Sequence, residues 1–239
     1  MRSISVVAIA TLSSVLVGRA ATAHDPIVAH DRLQSPLRNG GCLRDGRRPA
    51  ARDAAPLRMP VAVLAPRDVG ESLLRRIWAE TDAIWKPAGV TFEWHRVDAA
   101  EAASSSWLDV TIDERRQDAV DEGPAVLGWI RFTGGHPERS IYLSRLNVEA
   151  LLRQETHADD MTIITHEALL GRALGRALAH ELGHYLLRSK VHSRHGVMRA
   201  TRAAEDFFRA GREGFGLSAE QRDAAARQVR QETPATGDV

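Results

Sequence analysis

Residues 179 to 198 read Ala179-His180-Glu181-Leu182-Gly183-His184-Tyr185-Leu186-Leu187-Arg188-Ser189-Lys190-Val191-His192-Ser193-Arg194-His195-Gly196-Val197-Met198, and the fold turns on them. The residues before them carry a strong helical pattern, which predicts one helix from about Thr162 to Leu187 with Asp159 and Asp160 near its start as caps. His180 and His184 are four apart, so on a helix they share a face. Two imidazoles placed that way can reach one zinc ion at roughly 2.0–2.1 Å. Glu181 follows the first histidine and is turned about 100° around the axis. It can stand beside the metal and take a proton from water there. The plainer reading of the same residues is a solvated His–Glu–His face or a pair of satisfied core histidines. Lys190 is a poor metal ligand, because a protonated ammonium has no lone pair to offer.

A catalytic zinc usually holds three protein ligands and one open position. The stretch resembles the metzincin group of metallopeptidases, which read H-E-x-x-H-x-x-G-x-x-H and later place a methionine in a tight turn below the metal. Leu187 stands where that group has glycine, and Lys190 where it has the third histidine. His192 comes two residues later and is followed by Ser193; Gly196-Val197-Met198 resembles the methionine turn. The resemblance implies His192 as third ligand, delivered by a longer loop, with Met198 a packing base and not a ligand. It also implies a peptide or protein substrate and Glu181 as general base. His195, near the turn, stays open as an alternative ligand. So does Glu205, since thermolysin-like enzymes take a glutamate from a second helix at similar spacing. Matrixin zymogens block their zinc with a pro-segment thiolate, which makes Cys42, the only cysteine, a candidate latency thiol.

The chain has 239 residues, of which 44% are apolar and 26% charged, so one buried core is expected and wholesale disorder is not. Its formal net charge is +1. Arg2 is followed by an apolar stretch from Ile4 to Val17 and then by Ala21-Thr22-Ala23, the pattern of a signal peptide with an A-x-A cleavage site. The expectation is therefore an exported protein, secreted or periplasmic. Removing residues 1–23 removes Arg2 and Arg19 and leaves 30 basic against 31 acidic residues. That balance argues against a nucleic-acid partner. The apolar stretch is shorter than the roughly 20 residues a spanning helix needs, so no stable membrane span is expected after cleavage. A lone cysteine cannot form an internal disulfide. Oligomeric state is not legible.

Residues 24–58 hold Pro26, Pro36, Pro49, Pro56 and the Asn39-Gly40-Gly41 cluster, and read as a flexible leader or pro-segment. A domain over 59–232 and a tail over 233–239 follow. Val61–Leu64 predicts a buried strand, and Ser72–Trp85 a helix ended by Pro87 and Gly89. Strands are expected at Val90–Val97, Leu108–Ile112, Val126–Phe132 and Ile141–Leu143. Helices are expected over 201–210 and from a Ser218 cap through Val229. This order gives an α+β fold, a zincin- or metzincin-like one if the resemblance holds. A twisted mixed sheet of four or five strands would pack on the long histidine-bearing helix, with further helices at the C-terminus. The strand at Ile141–Leu143 is the expected sheet edge, where an extended peptide could add. A non-catalytic metal-binding or interaction domain on the same scaffold is the alternative function.

Overall fold

The computed structural model describes residues 6–13, 57–104, 106–113, 125–155 and 161–232. Val6–Ser13 forms β1 and Leu57–Leu64 forms β2. Val61, Ala62 and Val63 are all buried, the signature of a strand covered on both faces. The strand begins earlier than its apolar run because Leu57 to Val63 pair in parallel with Val90 to Arg96. The connection is α1 (Glu71–Trp85), a short 3-10 turn over Lys86–Ala88, and Gly89 in the left-handed region at φ 69°. β3 (Val90–Arg96), α2 (Ala99–Ser104) and β4 (Leu108–Asp113) follow, then the hairpin β5 (Ala125–Thr133) and β6 (His136–Ser144), turning through Gly134 and Gly135. The remaining elements are α3 (Arg145–Glu155), α4 (Ile163–Leu186), β7 (Thr201–Ala203), α5 (Glu205–Phe208) and α6 (Ala219–Glu232).

The strands lie in the order β3-β2-β4-β6-β5-β1-β7. β3, β2, β4 and β6 run parallel, and β5 runs antiparallel to β6. This five-stranded mixed sheet is the expected one. Two further strands extend it: β1 pairs parallel with β5 on one side and antiparallel with β7 on the other. Ile141–Leu143 therefore does not form the sheet edge. It lies in β6, hydrogen-bonded to β4 and β5 on either side, and β5 is the outer strand of the five.

α4 is buried almost continuously from Leu170 to Leu186. A helix covered all round lies inside the molecule, not on it. One side packs on α1 at close range. The Thr81 hydroxyl donates to the Gly175 carbonyl at 3.1 Å, and the Trp85 indole N–H donates to the Ala179 carbonyl at 3.1 Å. A Cβ on Gly175 would stand 2.8 Å from the Glu80 Cβ, so only glycine allows the approach. The other side of α4 meets β5 and β6.

Thr162 caps α4, its hydroxyl accepting from the Thr165 N–H at 3.2 Å. Asp159 and Asp160 lie outside the described residues. The helix expected over 201–210 is instead a three-residue strand and a short helix, because Thr201–Ala203 pair with β1. α3 was not expected; it starts directly from β6, where the Ser144 hydroxyl accepts the Asn147 N–H. Ser218 caps α6 as expected, in a reciprocal pair with Gln221.

Candidate metal centre

Because α4 is interior, each polar side chain on its last turns has been taken out of water and needs a reason. His180, Glu181 and His184 have no solvent exposure. The carbonyl of Val197 stands 2.7 Å from His180 Nδ1, and that of Ser189 stands 2.6 Å from His184 Nδ1. A carbonyl only accepts, so each Nδ1 carries the proton and each Nε2 presents a lone pair. Those two Nε2 atoms face each other at 3.0 Å. Two lone pairs that close repel unless something positive lies between them.

His192 completes the group. Its ring centroid lies 5.2 Å from that of His180 and 4.8 Å from that of His184. One nitrogen from each of the three rings falls within 4.8 Å of the others. His192 Nε2 is buried with no hydrogen-bond partner. Desolvation holds His180 well below the ordinary histidine range, brings His184 down to about 4 and lowers His192. All three rings are thus neutral at pH 7, the form that ligates a metal. The donor set, the orphaned Nε2 and the facing lone pairs all fit a borderline-soft cation such as zinc.

Glu181 is the other buried anomaly. Neither carboxylate oxygen has a hydrogen-bond partner, and burial raises its pKa well above the ordinary range. Its Cγ lies 3.3 Å from where a Cβ on Gly128 would stand, which places it under β5. Phe132, also on β5, sets its ring edge-on to His184 at 6.4 Å. Lys190 lies over that ring, its ammonium 5.1 Å from the centroid, and is no part of the histidine group.

Met198 is buried against the helix at Gly183, between the two helical histidines, where any side chain would collide with its sulfur. Its sulfur packs against the helix backbone there. His195 is exposed and outside the histidine group. Glu205 is exposed at the start of α5 and pairs with Arg209, away from the group as well. Cys42 lies outside the described residues. Sequence reading missed the carbonyls of Val197 and Ser189, which fix the histidine tautomers. Backbone atoms leave no residue-type signal; only the tight spacing of His184 and Ser189 hints at the second.

No family model and no curated protein matches this chain. Among solved structures it is similar to the crystal structure of archaemetzincin from Methanopyrus kandleri, at 14% identity and a TM-score of 0.40, covering 73% of this chain and 97% of that one. A TM-score below 0.5 does not define a shared fold, so the chain's own geometry has to carry any assignment.

Proposed function

We propose that this chain is an exported zinc-dependent endopeptidase of metzincin-like type, with His180, His184 and His192 holding the metal and Glu181 acting as general base. The observation that carries the reading is the pairing of two anomalies: three imidazole nitrogens within 4.8 Å of one another, and next to His180 on the helix a buried carboxyl with no hydrogen-bond partner. Bound zinc would supply a Lewis acid for a peptide carbonyl and make water acidic enough to be deprotonated near neutral pH. Glu181 receives the proton from that water and returns it to the leaving amine. Burial alone favours the neutral acid, and a cation held by the neighbouring histidines would favour the carboxylate that takes up the proton. Val197 and Ser189 keep His180 and His184 in the ligating tautomer through their carbonyls.

The substrate would be an extended peptide lying along β5. In the structure β1 occupies that position, between β5 and β7. The chain's own strand there supports the idea that the slot accepts an extended segment by main-chain pairing. Under the export reading, cleavage after Ala23 removes β1 and leaves the β5 edge open. None of the helices among the described residues is long and apolar enough to cross a membrane.

A non-catalytic metal-binding domain is the second reading. Glu181 weighs against it: a buried carboxyl without hydrogen bonds costs stability and does nothing for metal binding alone. Zinc analysis with a mixed peptide library separates the two. The proposal expects one zinc per chain and chelator-sensitive cleavage; stoichiometric zinc without cleavage would favour the binding domain, and no zinc would exclude both.

A further inference from the structure

Arg202, in β7, is only 4% exposed, and no ion pair joins it to a carboxylate among the described residues. Its guanidinium instead donates from Nη2 to two carbonyls, those of Gly196 and Gly214, the second at 2.7 Å. It lies 4.0 Å from the centroid of the Phe215 ring, and Arg176 lies 4.7 Å from the same centroid. The two segments that Arg202 joins touch elsewhere as well. The Val197 N–H donates to the Gly216 carbonyl at 3.0 Å. Gly196 has φ 76°, and a Cβ there would strike the Gly216 carbonyl. The turn at 196–198 is therefore fastened along its length to 214–216. The carbonyl in the middle of that turn, on Val197, is the one that fixes His180.

We propose that Arg202 is a positioning residue for the metal centre: by tying Gly196 to Gly214 it holds the Val197 carbonyl where it aims His180 at the point shared by the three histidines. This rests on the metal-centre reading above. A positive group near a cation site opposes the cation electrostatically, so charge does not explain Arg202 here. The two hydrogens on Nη2 and the flat stacking face do, since they join two carbonyls and cover an aromatic ring at once. The Val197 carbonyl is the partner bonded directly to a ligand, a kind typically worth about ten- to a hundred-fold in metal affinity, and Arg202 acts through it.

The test measures zinc affinity by chelator competition, and the visible spectrum of the cobalt-substituted protein, in full-length wild type, Arg202→Met and Arg202→Lys. Methionine keeps an unbranched apolar stem but can neither donate nor stack a flat face on Phe215. The expected result is zinc binding weaker by about ten-fold or more in Arg202→Met, a changed cobalt spectrum, and partial recovery in Arg202→Lys. Wild-type affinity and spectrum in a folded Arg202→Met protein would overturn the proposal, even if that protein melted earlier, because Arg202 would then be a staple and nothing more. Should Arg202→Met not fold, Arg202→Lys decides, since its ammonium ends short of the Nη2 position and lacks the flat face over Phe215: reduced affinity upholds the proposal and unchanged affinity overturns it. Wild type that binds no stoichiometric zinc overturns the metal-centre reading and this proposal together, whereas tight binding in every variant overturns this proposal alone.

Discussion

Glu181 sits where the structure pays most for a side chain, and its cost can be measured. Burial raises its pKa well above 4.5, so in metal-free protein it folds as the neutral acid. Unfolded, it ionises above about pH 4.5. As pH rises past that value the unfolded state loses a proton that the folded state keeps, and stability falls. Glutamine does not titrate. Metal-free Glu181→Gln should therefore melt above wild type at neutral pH, with the difference shrinking to nothing below about pH 4. A constant offset at all pH values would remove the case for a buried neutral carboxyl. Loaded with zinc, the same variant should be folded and catalytically silent; full peptidase activity would end the general-base role.

The histidines carry the opposite sign. His184 is depressed to about 4, so between roughly pH 6.5 and 4 the unfolded state binds protons that the folded state refuses. Their contribution to folding is present above the ordinary histidine range and is lost as pH falls through that window. His192→Ala should release most of the zinc at neutral pH, whereas His195→Ala and Glu205→Ala should keep it. Zinc retained by His192→Ala would mean that the third ligand lies elsewhere. Of these residues, His180, Glu181 and His184 were legible because a helix converts fixed spacing into a shared face. His192 was placed ahead of His195 and Glu205 by the family resemblance and not by spacing, since beyond the helix loop conformation decides. The structure settles the loop through the Ser193 N–H, which donates to the Met198 carbonyl and folds 193–198 back on itself.

Among the elements, the α1–α4 crossing positions the site. Gly175→Ala would push a methyl into the Glu80 Cβ and the Ile77 carbonyl. Overpacking of that kind costs about 1–3 kcal/mol, to be read as a lower denaturation midpoint with zinc stoichiometry intact. Below the crossing, Glu80 accepts from the buried Arg176 at 2.8 Å and from the half-exposed Arg212 at 3.0 Å, which ties α1 and α4 to the segment before α6. Removing Glu80 would strand Arg176 as a buried unpaired cation. Glu80→Leu should accordingly lose about 3–5 kcal/mol in chemical denaturation, and a loss under about 1 kcal/mol would contradict that account. The long helix and the five central strands were legible because their periods differ and their apolar runs are long. α3 was not, although Val148, Leu151 and Leu152 repeat at helical spacing; no loop separates it from β6 and Ser144 serves both elements. β7 could not be read at all. Its three residues become a strand only by pairing with a segment nearly two hundred positions away, and local propensity there favours helix.

For the whole molecule, the first residues have two readings that meet at one place. Their sequence has the form of an export signal, and in the structure part of it is β1, alongside the strand that overlies Glu181. If cleavage after Ala23 occurs, the product has an open β5 edge. A chain beginning at His24 should cleave an extended peptide faster than the full chain, at equal zinc content. Equal rates would mean that β1 does not obstruct the cleft. The near-neutral charge balance and the mixed sheet were readable from composition and pattern; the extension of that sheet by β1 and β7 was not, because the apolar N-terminal run is equally consistent with a membrane-directed signal.

The expectations about zinc binding and catalysis depend on whether three histidines and nothing else from the chain hold one metal ion. X-ray absorption at the zinc edge of the zinc-loaded full-length protein tests this directly. The account predicts one zinc per chain, surrounded by three imidazole nitrogens at roughly 2.0–2.1 Å and completed by a light-atom ligand from solvent. A sulfur in the shell, fewer than three imidazoles, or no stoichiometric zinc would contradict it.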